Sequence, residues 1–204
     1  MPLLVAGLTG GIATGKSTVG QWLSELGAYV VDADRLAHEA MAPTGPAYDG
    51  VVTEFGQEIL AADLTIDRTK LAADVFGNPA HLQRLNALVH PHVRDAASRR
   101  FFAQVQKDPH SIGVFEAALL VETGAHRDMD RLIVTHCRRE TQIERMLARG
   151  LDREEAGFRL SAQLPHNSKI ELADFAIDTD RGREETRESV REIWASLRGE
   201  ALGS

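Results

Sequence analysis

The sequence predicts an α/β fold in which a five-stranded parallel sheet lies between layers of helices. Short apolar runs recur along the 204 residues, and segments with helical spacing separate them. The runs are continuously apolar rather than alternating, which is typical of strands buried on both faces of a parallel sheet. The predicted strands cover residues 3–8, 29–31, 112–115, 131–135 and 175–177.

Helical patterns fill the intervals between these strands. Residues 16–26 carry apolar side chains at helical spacing, and Gly27 follows them as a suitable left-handed cap. Residues 37–110 contain no strong strand pattern, so we expect a helical insertion there. Trp22 and Trp194 are expected in the core rather than against a ligand. The other predicted helices cover residues 70–76, 81–89, two segments of 138–159 that meet near Gly150, and 184–197.

The composition is that of a globular protein, with 43% apolar residues, 26% charged residues and a net charge of −7. The acidic balance disfavours a nucleic-acid partner, which usually needs a basic surface. No apolar run reaches the roughly 18 to 20 residues that span a membrane, and the first residues lack the basic segment of a signal peptide. Because Cys137 is also the single cysteine, we expect a cytoplasmic protein without membrane partners. We further expect a monomer or a weak homo-oligomer.

The strongest motif follows the first predicted strand. Residues 10–17, Gly-Gly-Ile-Ala-Thr-Gly-Lys-Ser, fit the P-loop pattern G-x-x-x-x-G-K-[ST] fully. In such a loop, backbone N–H groups and a helix start surround the phosphates, the lysine pairs with the β- and γ-phosphates, and the serine ligates Mg²⁺. The motif therefore predicts a P-loop NTPase fold that binds ATP and Mg²⁺. The predicted nucleotide-binding residues are Gly11, Ile12, Ala13, Thr14, Gly15, Lys16, Ser17 and Thr18.

Acidic residues follow two of the predicted strands. Asp32 and Asp34 come after the second strand, and alternation along an extended chain would point them the same way. They could orient one another, help to hold hydrated Mg²⁺ or accept a proton; alternatively, the pair caps the next helix through Asp34. Glu116 ends the third strand, and together with Ser17 and Asp32 it is a predicted Mg²⁺ partner. Glu122 is either a second functional acid or a surface acid.

An arginine-rich stretch covers residues 138–159. Arg145 and Arg149 are four residues apart, so one helix face can present both to a phosphoryl group whose charge spreads during transfer. With Lys16, they are predicted to stabilise that charge. The alternative is a solvated pair of helices in which acidic neighbours form salt bridges with the arginines.

The class of P-loop protein is narrowed by what the sequence contains and lacks. A guanine-reading N-K-x-D motif is missing from the sequence. The chain can be divided as a small-molecule kinase requires, within a single domain. We predict a core (residues 1–36, 111–137 and 166–204), a helical acceptor-binding lobe (37–110) and a helical lid (138–165). The alternatives are another nucleoside or nucleotide kinase, or a nucleotide-dependent switch that binds a protein partner.

Several further motifs follow one another along nearly the whole chain. They begin with Gly7-Leu8-Thr9-Gly10-Gly11-Ile12 and Val31-Asp32-Ala33-Asp34, and continue through Leu85-Asn86, His90-Pro91-His92-Val93 and Leu119-Leu120-Val121-Glu122. The later members are Gln142, Arg145, Arg149, Arg159, Gln163, Ala173-Asp174 and Ile177-Asp178. This ordered set resembles the dephospho-CoA kinase family.

The resemblance implies transfer of the ATP γ-phosphoryl group to the ribose 3′-hydroxyl of dephospho-CoA, the last step of coenzyme A biosynthesis. It implies that Asp34 is the base, and it places His90-Pro91 in the acceptor lobe, where the pair could also be a helix-breaking turn. The chain departs from the family at Ala13, usually a glycine, at Glu116, commonly an aspartate, and at Thr179, often an asparagine near the expected adenine site. The missing glycine matters only if position 13 needs a positive φ.

Overall fold

The predicted five-stranded parallel sheet is confirmed. The computed structural model describes residues 4–75, 78–161 and 163–203. The strands are β1 (Leu4–Gly10), β2 (Tyr29–Asp32), β3 (Ile112–Glu116), β4 (Arg131–His136) and β5 (Phe175–Asp178). Their order in the sheet is β2-β3-β1-β4-β5, and all are parallel. Each contains its predicted run apart from Leu3, which lies outside the described residues.

The first strand is central to the sheet. β1 pairs with β3 on one side, from Leu4 opposite Ile112 to Leu8 opposite Glu116, and with β4 on the other. Ala6 and Leu8 are fully buried, as continuous apolar strands between two helical layers should be. The carboxyl ends of β1, β3 and β4 therefore meet at one edge of the sheet, the edge where ligands bind in open α/β folds.

The helix after β1, α1 (Lys16–Glu25), ends as the sequence predicts. Gly27 has φ of 110°, its N–H donates to the Ser24 carbonyl, and the Ala28 N–H donates to the Leu23 carbonyl. These two bonds form a Schellman cap, which needs the left-handed conformation that glycine adopts readily. The cap turns the chain directly into β2.

One face of α1 packs in the main core together with the last helix, α9 (Arg183–Gly203). Trp22 is buried in this cluster and Trp194 is half-buried against it, so both tryptophans belong to the core as predicted. Trp22 also lines a cavity, so its exclusion from a ligand site stays a prediction. Val190 and Leu197 of α9 are fully buried. Burial of such side chains contributes about 1.5 to 3 kcal/mol each to folding.

The chain divides into two compact units, residues 1–31 with 101–204, and residues 32–100. The second unit contains α2 (Ala33–Ala40), α3 (Tyr48–Phe55), a 3₁₀ helix (Gln57–Ile59), α4 (Arg68–Val75) and most of α5 (Pro79–Lys107). α4 covers the predicted helix 70–76 except for residue 76, which lies outside the described residues. The division into core, acceptor lobe and lid stays a prediction.

The predicted helix 81–89 is part of the 29-residue helix α5, which continues through Pro91. The interpretation of His90-Pro91 as a helix-breaking turn is therefore wrong. A proline removes one helical hydrogen bond and strains the preceding turn. Val89, Val93 and Ala97, spaced by four residues, are all buried, so the apolar stripe continues across the proline and supports the helix on both sides.

Three short helices separate β4 from β5: α6 (Arg139–Leu147), α7 (Arg153–Ser161) and α8 (His166–Ile170). Gly150, with φ of 89°, lies between α6 and α7, where the sequence predicts that the two helices meet. A further 3₁₀ helix (Ala125–Asp128) precedes β4. Among the residues that the structure describes, no helix is both long and apolar enough to cross a membrane.

A buried ion pair joins α8 to the segment after β3. Lys169 is fully excluded from solvent, and its Nζ lies 2.6 Å from Glu122 Oε1 and 3.5 Å from the Ala118 carbonyl oxygen. The Glu122 side chain is only 17% exposed. Glu122 is therefore a partner of a buried lysine, and its interpretation as a surface acid is wrong.

Candidate nucleotide site

The phosphate loop connects the end of β1 at Gly10 to the start of α1 at Lys16. Thr14 fixes the loop to the sheet, because its hydroxyl donates to the Gly11 carbonyl (2.8 Å) and lies 2.8 Å from the Thr135 hydroxyl of β4. Thr14 is fully buried, whereas Ser17 and Thr18 are exposed on the first turn of α1. The helix start and the exposed hydroxyls therefore form a site suited to an anion.

Ala13 adopts φ of 59° inside the loop. The position does need a left-handed conformation, so the departure from glycine has a cost of about 1 to 2 kcal/mol. The Ala13 methyl group is nearly buried and belongs to a small apolar cluster with Met146, Ala156 and Leu160. Packing of the methyl group offsets part of the strain.

Lys16 and Glu116, predicted from separate motifs, are in direct contact. Lys16 Nζ lies 2.7 Å from Glu116 Oε1, and the two side chains are 12% and 7% exposed. Helix α1 leaves room for the carboxylate at Gly20, where a Cβ would lie 2.3 Å from Glu116 Oε2. The loop lysine and the acid at the end of β3 thus compensate one another.

Arg145 joins three parts of the chain. Its Nη1 donates to the Ala13 carbonyl (3.1 Å) and to the Thr179 hydroxyl (3.0 Å), and its Nη2 donates to the Thr179 carbonyl (2.9 Å). The Thr179 hydroxyl in turn donates to the Thr14 carbonyl (2.9 Å). Arg145 therefore connects α6 to the phosphate loop and to the segment that follows β5.

A cavity of about 480 Å³ opens beside the loop. Gly15 and Thr18 line it on the loop side, and Arg145, Arg149 and Thr179 line it on the other. The structure thus brings the two predicted arginines to one cavity. Its size is within the range of small-molecule sites.

The lining of the cavity also includes an indole ring and further charged side chains. Trp22 contributes part of the lining, and the guanidinium carbons of Arg183 and Arg187 lie 5.6 and 5.9 Å from its ring centroid. Arg138 donates to Asp180 from its backbone N–H (2.6 Å) and its Nε (3.1 Å). Desolvation acts to raise the pKa of Asp180, but hydrogen bonds from Thr141 and Arg138 outweigh it and lower the pKa. A lining that contains an indole ring and several guanidinium groups suits a planar, anionic ligand.

Residues 4–185 match the family model described as dephospho-CoA kinase. The chain belongs to that family. A curated relative named dephospho-CoA kinase, from Geobacter sulfurreducens, is 43% identical over 192 residues, which are 94% of this chain and 97% of the relative. The solved structure of TT1252 from Thermus thermophilus is 30% identical, with a TM-score of 0.81 and coverage of 97% of this chain and 99% of that one.

A structure of dephospho-CoA kinase from Campylobacter jejuni matches with a TM-score of 0.61 at 24% identity, over 95% of this chain and 96% of that one. At this identity the match concerns the fold. It agrees with the P-loop kinase architecture that the motif in residues 10–17 predicts.

Asp32 and Asp34 belong to the compact unit of residues 32–100. Asp32 is the N-cap of α2, because its Oδ1 accepts the N–H groups of Asp34 (2.8 Å) and Arg35 (3.2 Å). The expectation that the acidic pair caps the next helix is confirmed, with Asp32 rather than Asp34 as the capping residue. The expectation that the two acids alternate along a strand is wrong, because β2 ends at Asp32 and α2 begins at Ala33. The cap starts the helix at Ala33 and places Asp34 in its first turn, exposed. The roles predicted for both acids stay predictions.

Two glutamines contact the phosphate loop although the sequence gives them no role beyond the family resemblance. Gln142 of α6 donates to the Ile12 carbonyl (2.5 Å), and Gln163 accepts the Ile12 N–H (2.8 Å). The Ile12 N–H is therefore engaged by a side chain, although Ile12 is a predicted nucleotide-binding residue. Both glutamines are more than 120 residues away in the chain, so no local spacing signals these contacts.

Proposed function

We propose that this protein transfers the γ-phosphoryl group of ATP to the ribose 3′-hydroxyl of dephospho-CoA, giving coenzyme A and ADP. The observation that carries the proposal is the Lys16–Glu116 pair at the base of a P-loop, in a chain that matches the dephospho-CoA kinase family over residues 4–185. The single cysteine and ordinary globular composition support a cytoplasmic location.

The phosphate loop is proposed to hold the nucleotide's phosphates through its backbone N–H groups and through Lys16. Lys16 then exchanges the Glu116 carboxylate for the β- and γ-phosphates. The cavity beside Gly15 and Thr18, lined also by Trp22 and Thr179, would take the nucleoside. It has both apolar area and hydrogen-bonding groups, as an adenine site needs.

Ser17 and Glu116 are proposed to hold Mg²⁺. Mg²⁺ prefers oxygen ligands, and a hydroxyl and a carboxylate supply them. The Glu116 carboxylate lies against Gly20, where a Cβ would intrude, so α1 is shaped to accept it. When bound, Mg²⁺ would neutralise charge on the phosphates. Asp32 stays a proposed third partner through water.

Asp34 is proposed as the base that positions and deprotonates the 3′-hydroxyl, and Arg149 as a cation that stabilises the transferring group together with Lys16. Arg145 contributes from its place between Ala13 and Thr179. Closure of residues 138–165 over the site would exclude water, because an open site would hydrolyse ATP.

The proposal is tested by measuring ADP release with dephospho-CoA, AMP, CMP, pantetheine or no acceptor. ADP release that requires dephospho-CoA supports it. Equal turnover with another nucleotide would show a different kinase, and turnover independent of any acceptor would favour a nucleotide-dependent switch.

Asp34→Asn tests the base. We expect kcat to fall about 10²-fold or more, with ATP affinity nearly unchanged, because the carboxylate acts on the acceptor hydroxyl. Asp95→Asn, at another exposed position of the same compact unit, removes the same charge and should leave kcat within about twofold of the wild type. A kcat for Asp34→Asn within about threefold of the wild type contradicts the assignment.

A further inference from the structure

Three side chains converge on Gly11 and Ile12 of the phosphate loop. Gln142 Nε2 donates to the Ile12 carbonyl and Gln163 Oε1 accepts the Ile12 N–H, so both polar groups of the Ile12 main chain have side-chain partners. His166, the first residue of α8, lies with its Nε2 2.8 Å from Gln142 Oε1. The approach is close: a Cβ on Gly11 would lie 2.6 Å from His166 Cε1 and 3.1 Å from Gln142 Nε2.

The hydrogen bonds fix the orientation of the Gln142 amide. A carbonyl only accepts, so the Gln142 atom that faces Ile12 is the NH₂ group and the atom that faces His166 is the oxygen. His166 Nε2 must therefore carry the proton that is donated to Gln142. The neutral ring then has its lone pair on Nδ1, which is buried and has no hydrogen-bond partner among the described residues. Burial, followed by the charges of His136 and Lys169, lowers the pKa of His166 and favours this neutral form.

The Ile12 carbonyl belongs to the same peptide unit as the Ala13 N–H. The unit is planar and trans, so a carbonyl held by Gln142 fixes the Ala13 N–H in the opposite direction. The following residue, Ala13, has φ of 59°, a conformation that alanine keeps only where its surroundings impose it. If this peptide unit rotated, it would offer a carbonyl in place of an N–H group to a bound phosphate.

We propose that Gln142 is a positioning residue for the nucleotide's phosphates, and that His166 orients it. Gln142 holds the peptide unit between Ile12 and Ala13 with its N–H toward the phosphates, and the hydrogen bond from His166 prevents the amide from turning its oxygen toward Ile12. This inference rests on the proposed use of ATP. It assigns to α6 and α8 a share in nucleotide affinity, without contact between these side chains and the nucleotide.

The test measures the affinity of each folded variant for ATP by calorimetric titration without an acceptor, and the KM values for ATP and dephospho-CoA. Gln142→Glu keeps the shape and replaces the donor by an acceptor. We expect it to weaken ATP binding about tenfold, because a buried hydrogen bond is lost and a repulsive contact replaces it. The KM for dephospho-CoA should stay within about twofold. Gln21→Glu adds the same charge at an exposed position of α1 and should bind ATP like the wild type.

The His166 variants test the orienting bond. His166→Phe removes the donor, and we expect about a threefold loss of ATP affinity; His166→Gln restores a donor and should recover most of it. If Gln142→Glu is folded and binds ATP within about twofold of the wild type, the inference is overturned. If Gln142→Glu does not fold, equal ATP affinities for His166→Phe and His166→Gln overturn it. Failure of the proposed function would appear separately, as wild-type protein that binds ATP but releases no ADP with dephospho-CoA.

Discussion

Replacing Lys169 with methionine should destabilise the protein strongly. Lys169 is fully buried, and its ammonium group is 2.6 Å from Glu122 Oε1. Glu122 Oε2 is buried and has no hydrogen-bond partner among the described residues. Without the lysine, the carboxylate therefore keeps its desolvation cost and loses its counter-charge. Removal of one member of a buried pair costs about 3 to 5 kcal/mol. For a chain of this size, the loss corresponds to a fall in Tm of about 6 to 20 °C.

Urea unfolding followed by circular dichroism gives the free energy of unfolding of Lys169→Met, Glu122→Gln and the double variant. Because the double variant no longer buries an unpaired charge, we expect it to recover at least about half of the loss of Lys169→Met. Lys107→Met removes an exposed lysine at the end of α5 and should change the free energy of unfolding by no more than about 0.5 kcal/mol.

Two results would refute this reasoning. One is a loss below about 1 kcal/mol for Lys169→Met, which would mean that Glu122 is solvated or protonated at little cost. The other is a double variant as unstable as Lys169→Met, which would mean that an unpaired buried charge on Glu122 is not the cause of the loss.

Two glycine-related substitutions in the nucleotide site give further tests. Ala13→Gly relieves about 1 to 2 kcal/mol of left-handed strain. It also loses about 0.8 kcal/mol of methyl burial and about 0.4 to 1 kcal/mol through the entropy of the unfolded chain, so the urea midpoint should hardly move. A fall in the free energy of unfolding above about 2 kcal/mol would contradict this. Gly20→Ala places a Cβ 2.3 Å from Glu116 Oε2 and displaces the carboxylate, so the Mg²⁺ concentration for half-maximal activity should rise about threefold or more. Gly199→Ala in α9 is the control, because a Cβ there meets nothing within 4 Å, and it should leave the Mg²⁺ dependence of activity unchanged. If Gly20→Ala also leaves it unchanged, Glu116 is not a metal partner.

The sheet and the loop could be predicted because their signals are local. A run such as Leu132 to Val134 is apolar at every position and rich in β-branched residues, which is typical of a short strand buried on both faces. The contact between Lys16 and Glu116 is not predicted from the sequence, because it depends on β1 and β3 being neighbours in the sheet. The cap at Gly27 needs only the residues next to it.

The remaining features depend on partners that are distant in the chain or on competition between local rules. The contacts of Gln142 and Gln163 with Ile12 span 130 and 151 residues, and a glutamine on a helix has no pattern that reveals such a partner. Asp34 lies in a helix rather than in an extension of the strand, because Asp32 caps the helix before it. The helix continues through Pro91 although proline tends to end a helix, because a continuous apolar stripe on both sides of it is buried.

The central position of β1 has a consequence for the order in which the protein is assembled. β1 leaves the ribosome first, but Leu4 pairs with Ile112 and Ala6 with Arg131, residues that are synthesised more than 100 positions later. The phosphate loop must in addition wait for Arg145 and Thr179 before its carbonyl groups are all anchored. Contacts of such long range slow folding, since loop closure precedes any gain from them. A nascent chain should therefore acquire affinity for nucleotide only when β5 and Thr179 have been made.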